Sequence, residues 1–558
     1  MKHLLPLLLL GAWFTVSSSR ACTNFIVGKN ASVDGSTMIT YAADSYTHYG
    51  YLNFTPAADH PAGAMREVIE GDTRRPLGQI PQVSHTYRVV GYMNEHQLTI
   101  GETTWGGRQQ LWDTTGIDYV SLMQIALERC RTAREAIDCM VQLVAEYGYA
   151  SEGESFSIGD PNEVWLMDMI GKGPGKKGAV WVAQRIPDDC ISAHANQART
   201  TSIPGYKAKI KKNQPYGSNN DGTVLWEKEV ISLAREKGYF SGSDAEFNFA
   251  AAYNPFDFSG LYVCEARVWS FFRRFNDDMD RYFDYATGKT FLATGGKDAG
   301  EPMPLYFRPN HKVSAQELKD CMRDQYEGTP LDITTGTDAG PWNSKLRYGG
   351  LTFQYDSVPY WYERPIATQQ TANSFVAQMR GYESAKAGGI FWFAMDDAAT
   401  SLYVPMYSAI TDIPECYRLG NGDLYTYSPT SAWWLYNIVA NWVYTKYSRM
   451  KPDLDRVRQT WEDRFNAQVE VVDQKVATMT TQEAQSFLTN YSINAANQSC
   501  DAWRELGIYL FTKYLDGVER KEDNGQFVRN PYGNPVGPNR VSYPASFQQT
   551  IIDEVAHE

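Results

Sequence analysis

The chain reads as an α+β protein, and three observations carry that reading. β-rich runs cluster near the start and again over 155–196, two amphipathic stretches lie between them at 118–147, and helical periodicity dominates from Ser431 to Leu515. Taken in order, Met1–Ala21 has the pattern of a secretory signal: Lys2 gives a positive start, Leu4–Val16 an apolar run, and Ser19-Arg20-Ala21 a small-x-small cleavage site. Thr23–Val27 and Ser36–Tyr41 are β-rich, and Asp34-Gly35 between them predicts a hairpin. Tyr87–Met93 and Gln97–Thr103 predict a second strand pair with Asn94 and Glu95 in the turn.

Asp118–Arg129 and Thr132–Tyr147 carry apolar residues at helical spacing, each behind a polar residue suited to capping. Ser155–Ile158, Glu163–Ile170, Ala179–Gln184 and Ile191–Asn196 follow as four strands, and Thr223–Tyr239 as a helix. Gly388–Ala394 and Ser401–Ala409 are late strands. Beyond Ser431, Trp433, Trp434, Tyr436 and Trp442 form an aromatic face expected to pack on the main body, and a tail rich in Asn, Gly and Pro is expected to wrap the surface. The expected organisation is a signal over 1–21, a main domain over 22–430 and a helical region over 431–558.

Composition excludes several function classes. A net charge of −13 leaves no basic face for phosphate, so nucleic acid is not an expected partner. No run of 18 apolar residues follows the signal, so no membrane span is expected. The 8 cysteines are widely spaced, which gives no metal pattern and few or no disulfides; Cys130 and Cys139 are expected in the core. The 8 histidines are scattered, and neither a zinc helix motif, a nucleophile elbow, a phosphate loop nor a dinucleotide fingerprint is present. Asp277, Asp278 and Asp280 lack the ligand spacing of a calcium loop and are taken as solvated charge. No metal or cofactor is expected.

Cutting after Ala21 makes Cys22 the first residue, with a free α-amine on the residue that carries the thiol. The amine titrates near pH ~8 and the thiol near ~8.5 in reference peptides, so proton transfer between them costs little. That is the arrangement of an N-terminal nucleophile activated by its own chain end. Two other readings of Cys22 stay open: a lipidated cysteine, although Ser19 and Arg20 fit lipoprotein processing poorly, and an ordinary buried cysteine.

The residues after Cys22 sharpen the choice. Cys22-Thr23, Val27-Gly28-Lys29-Asn30-Ala31-Ser32, Asp34-Gly35-Ser36-Thr37-Met38, Asp44-Ser45, Gly101-Glu102-Thr103-Thr104, Gly153-Glu154-Ser155 and His194-Ala195-Asn196-Gln197 fall in one order. In these motifs the chain resembles the dipeptidase A-like family of cysteine N-terminal-nucleophile hydrolases, distant relatives of penicillin V acylase and bile salt hydrolase. The signature covers about residues 22–270. The resemblance implies a four-layer αββα sandwich with a C-terminal helical extension; periodicity alone gives only α+β. It also implies catalytic roles for four residues. Cys22 is the nucleophile, Asp44 orients the α-amine, Asn196 donates to the oxyanion, and Arg267 stabilises the thiolate or binds a substrate carboxylate. Glu102, Thr103, Thr104 and Tyr41 line the substrate pocket, with Glu102 expected to hold a substrate ammonium.

One departure stands out. Relatives carry an Arg three residues before the aspartate that aligns with Asp44, whereas this chain has Tyr41. Either Tyr41 takes over by hydrogen bonding, or another Arg reaches in from elsewhere. His194 is expected to be a hydrogen-bonded strand histidine and not a base. The expected activity is hydrolysis of dipeptides or short peptides through an acyl-enzyme by a protein exported to a bacterial periplasm or secreted. A homo-oligomer remains open, as do two alternatives: an acylase for non-peptide amides, and a non-catalytic binding protein lipidated on Cys22.

Overall fold

The computed structural model describes residues 22–207, 209–210, 214–383 and 386–555; the signal segment expected at 1–21 lies outside the described residues. The principal strands are β1 (Asn24–Val27), β2 (Thr37–Asp44), β3 (Thr99–Gly106), β4 (Gly153–Gly159), β5 (Val164–Gly171), β6 (Ala179–Ile186), β7 (Ile191–His194), β8 (Thr371–Met379), β9 (Ile390–Met395) and β10 (Val404–Tyr407). The principal helices are α1 (Tyr119–Arg129), α2 (Ala133–Tyr147), α3 (Ala266–Phe272), α4 (Ala432–Thr445), α5 (Tyr447–Ala477) and α6 (Thr481–Tyr514).

The strands form two large antiparallel sheets. A seven-stranded sheet runs Tyr306–Phe307, β7, β1, β2, β8, β9, β10. A nine-stranded sheet runs Gly217–Ser218, Val224–Trp226, β6, β5, β4, β3, Met93–Asn94, Val89–Val90, Phe54–Thr55. The sheets meet face to face where β2 packs on β3 and β4, and β1 on β3. Helices α1 and α2 lie against the nine-stranded sheet, while α4 and α6 lie against β9 and β10 of the other. Strands covered on both sides should be apolar along their whole length. All eight residues of β2, of β5 and nearly all of β6 are buried, which matches that position.

The expected elements at 118–147 and beyond 431 are helices. Asp118 accepts from the Ser121 N–H and Thr132 from the Glu135 N–H, so each cap satisfies an amide left without a partner in the first turn. Trp433 and Tyr436 of the aromatic face are buried. Two expectations need correction. Thr223–Tyr239 is not one helix: Val224–Trp226 pairs with β6, and only Val230–Glu236 is helical. A β-branched residue followed by Leu and Trp, paired on one side with β6 and on the other with Gly217–Ser218, outweighs the helical pattern there. Tyr87–Met93 is broken at Gly91, whose φ of 62° is left-handed. The tail adds two small strand pairs and a final helix, Ala545–Val555.

The described cysteines are all free thiols, but Cys130 meets Cys139, and Cys416 meets Cys500, as hydrogen-bonded pairs. Among the described residues no helix is long and apolar enough to cross a membrane. No group of three or more metal-ligating side chains gathers among them either.

Buried ion pairs fasten the long helix α5 to the sheet beneath. Arg380 at the end of β8 pairs with Asp473, and Arg323 forks onto Glu462, which also accepts from the Tyr403 N–H. Arg323 and Lys319 pull the Glu462 carboxyl down to about 2 against the penalty of its burial. An unfolded glutamate titrates near ~4.3, so this contribution is complete above about pH 5 and is lost as pH falls through the folded value. Glu462→Gln leaves Arg323 short of its charge partner, and the expected cost is about 3–5 kcal/mol. Denaturant unfolding across pH checks it: the gap between wild type and variant should close below about pH 4. A gap that stays constant would contradict the assignment.

Candidate active site

Cys22 lies at the mouth of β1, buried, in a place fixed by its neighbours on both sides. Thr23 bridges to Ala42 of β2, whose N–H donates to the Thr23 carbonyl at 3.1 Å. This holds Cys22 beside the last residues of β2. The β2–β8 register slips between Ala43 and Asp44, a bulge of the kind that re-aims side chains at functional sites. Around it the Cys22 thiol donates to the Tyr41 hydroxyl at 3.5 Å, and the Asp44 main-chain N–H donates to the sulfur.

The Asp44 carboxylate is turned onto two donors. The Arg364 Nη2 lies 2.7 Å from one oxygen and the Thr371 hydroxyl 2.6 Å from the other. Arg364 is buried and comes from the segment leading into β8. Both answers to the missing arginine therefore coexist: Tyr41 bonds the thiol, and Arg364 reaches the aspartate from 320 residues away. Nothing local announces Arg364, and sequence reasoning missed it.

Arg267 is the hub on the other side. A π-helical turn, Gly260–Glu265, runs directly into α3 and delivers the guanidinium to the end of β1; such turns recur at functional sites. Its Nε donates to the Val263 carbonyl at 2.8 Å. Nη1 donates to the Cys22 carbonyl at 2.7 Å and the Thr23 hydroxyl at 2.8 Å, and Nη2 to the Ala195 carbonyl at 3.1 Å and Asn196 Oδ1 at 2.9 Å. A guanidinium has five N–H groups, so all five are spent on the protein. Of the two roles expected for Arg267, binding a substrate carboxylate would require breaking these bonds. Burial, with repulsion from Arg364, pulls Arg267 below its ordinary value.

Asn196 follows the end of β7 with φ of 62°, a left-handed conformation that Asn tolerates. Its Nδ2 donates to the Thr104 carbonyl at 2.6 Å, and Asn24 Nδ2 donates to the Glu102 carbonyl at 2.6 Å. Past Thr99 the outer edge of β3 pairs with no described strand. Two asparagine side chains thus close an open sheet edge beside Cys22.

The three β3 residues expected to line a pocket are placed differently. The Thr103 hydroxyl is 2.6 Å from His194 Nδ1, and the Ser157 hydroxyl is 2.6 Å from His194 Nε2. Burial and the Arg199 charge push His194 down to about 3, so it is a neutral bridge between the two sheets. The Thr104 hydroxyl donates to Glu154 at 2.7 Å. Glu102 is 1 % exposed and accepts from the Tyr41 hydroxyl at 2.7 Å, so it is closed to solvent in this structure. Glu154 was quoted only as part of a motif, yet it lies beside Glu102; a glutamate in a strand otherwise apolar on that face was the available signal.

Burial pushes the Cys22 thiol well above its usual range, and the charges of Glu102 and Asp44 add to that; the Asp44 N–H opposes it. At neutral pH the thiol keeps its proton, and chemistry at this sulfur requires a base at the moment of attack.

A buried cysteine, a guanidinium hub and an aspartate thus meet at one end of the seven-stranded sheet. The family model of peptidase family C69 matches residues 21–460, and the chain belongs to that family of cysteine peptidases. It is 23 % identical over 517 residues to a probable dipeptidase of Latilactobacillus sakei, covering 88 % of this chain and 95 % of that protein. It is 24 % identical over 420 residues to dipeptidase A of Lactobacillus helveticus, covering 71 % and 77 %. The dipeptidase of Bifidobacterium longum is 23 % identical over 428 residues, covering 71 % and 72 %.

Replacing Arg364 by Met would leave Asp44 buried without its charge partner, with the Thr371 hydroxyl still donating to it. The expected outcome is a fall in hydrolytic rate of about 100-fold, the size that misplacing a catalytic group by about 1 Å costs. Steady-state kinetics beside a thermal melt checks it; an unchanged rate in a folded variant would show that Asp44 needs no guanidinium.

Proposed function

We propose that this protein is an exported dipeptidase whose mature chain begins at Cys22 and cleaves peptide bonds through an acyl-enzyme. The observation that carries the reading is the convergence of Tyr41, Asp44, Asn196 and Arg267 on one cysteine that follows a signal-like segment. Membership of a cysteine peptidase family and the dipeptidase names of the relatives support the substrate class. Two face-to-face sheets with helices on their outer sides support the four-layer αββα architecture of N-terminal-nucleophile hydrolases. The −13 charge fits a small-molecule substrate and not nucleic acid.

In this reading the α-amine takes the thiol proton, and the nearby His194 is spent as a neutral bridge. The sulfur attacks the substrate carbonyl to give a tetrahedral oxyanion, and the amine returns the proton to the leaving amine. Water then hydrolyses the acyl-enzyme by the reverse path. Asp44, held by Arg364 and Thr371, keeps the nucleophile's end of β2 in place and orients the amine. Asn196, held by Arg267 and the Thr104 carbonyl, carries its amide to the oxyanion, where one donor is worth about 3–4 kcal/mol. A chain without the arginine at position 41 would suit a non-catalytic binding protein, and Arg364 beside Asp44 weighs against that alternative.

The test is a panel of dipeptides, tripeptides and N-acyl amino acids against wild type, Cys22→Ala and Asn196→Ala. Dipeptides should be cleaved, Cys22→Ala should be inactive, and Asn196→Ala should lose about 100- to 1000-fold in kcat. Turnover of N-acyl amino acids without dipeptides would replace this reading by the acylase; full activity of Cys22→Ala would overturn both.

A further inference from the structure

Behind Cys22 a hydrogen-bonded chain runs away from the site already described. The thiol donates to Tyr41 at 3.5 Å, and Tyr41 donates to Glu102 Oε1 at 2.7 Å. Glu102 in turn shares a hydrogen bond with Glu154, which accepts from the Thr104 hydroxyl at 2.7 Å. The β3–β4 register pairs Thr104 with Glu154 and Glu102 with Phe156, so the two carboxyls sit on one face of neighbouring strands. Both are essentially unexposed, and the second oxygen of each has no partner besides the other carboxyl. Two carboxyls in contact in a dry site cannot both be ionised, so one proton lies between them.

A hydroxyl has one proton to give. While Glu102 is charged it claims the Tyr41 proton, and the sulfur can only donate to the tyrosine oxygen. If Glu102 is neutral, Tyr41 is released to donate to the sulfur, which stabilises a thiolate. We propose that the Glu102–Glu154 pair, through the Tyr41 hydroxyl, decides whether the Cys22 sulfur donates or accepts a hydrogen bond, which makes Glu102 a positioning residue for the nucleophile. The proposal rests on Cys22 as nucleophile for its catalytic meaning, but its test reads the thiol itself.

The groups facing the pair fit this role. From the seven-stranded side comes Tyr41, and packed against it, from the turn between Val89–Val90 and Met93–Asn94 of the other sheet, comes Tyr92. From the segment after β2 come Asp72 and His48, themselves 3.3 Å apart. Tyr149 and Glu152 approach from the segment before β4, with Asp118, from the residue before α1, behind Tyr149. Burial is the largest influence on both carboxyls and raises both, which keeps the shared proton in place at neutral pH.

The experiment follows alkylation of Cys22 by iodoacetamide against pH in the mature full-length protein, read by mass of the N-terminal peptide, with dipeptide kcat/KM measured in parallel. Glu102→Gln, which keeps the shape and removes the charge, should lower the midpoint by about one pH unit and speed alkylation at pH 7 about tenfold. Adding Tyr41→Phe to that variant should cancel most of the gain. Tyr41→Phe alone should change the rate less than about threefold, because its proton is held by Glu102 in the wild type. Glu154→Gln, which leaves Glu102 charged, should stay within about twofold.

The proposal is overturned if Glu102→Gln leaves the midpoint where it was or raises it, or if the double variant keeps the whole gain. It is also overturned if Tyr41→Phe alone slows alkylation tenfold, a result that needs no glutamine variant to fold. Shifts in alkylation without any dipeptidase activity would leave this inference standing and sink the proposed function.

Discussion

The site depends on one guanidinium. Arg267 bonds the carbonyl of Cys22, the hydroxyl of Thr23, the carbonyl of Ala195 and the amide oxygen of Asn196, and anchors itself on Val263. It joins the end of β1, the end of β7 and the start of α3, three segments far apart in sequence. A buried arginine is affordable only where every N–H finds an acceptor, and here each does. The planar fork then fixes the backbone of Cys22, the proposed nucleophile, and the side chain proposed as oxyanion donor in one geometry, which a lysine could not do.

Around that hub the charge balance is settled by substitution at a distance. The position that resembles an arginine in relatives is Tyr41, and the positive charge comes instead from Arg364, paired with Asp44 at 2.7 Å. The tyrosine brings what an arginine could not, a hydroxyl that both accepts from the thiol and donates to Glu102. The result is a thiol held protonated in a dry pocket, with an aspartate and its arginine on one side and a carboxyl pair on the other.

Much of this was legible because it was local. Asp118 and Thr132 predict helix starts since a cap acts within one turn, and the hairpin at Asp34-Gly35 leads β1 into β2 because turn chemistry acts within a few residues. Cys22, Asp44, Asn196 and Arg267 were legible through their motifs and do meet. What stayed hidden was long-range. Arg364 carries no local mark and finds Asp44 only because β8 pairs with β2. The side of β3 on which Thr103 would be spent depended on the second sheet, whose His194 claims it. Val224–Trp226 looked helical by spacing and became a strand because β6 offered an edge.

The central claim is that catalysis starts from a chain end at Cys22, held in place by Arg267. The most direct measurement is the intact mass and N-terminal sequence of the protein recovered from its own cells. The account predicts a chain that begins with Cys22 and carries an unmodified α-amine and thiol. A chain that begins elsewhere, or that bears lipid on Cys22, would contradict it.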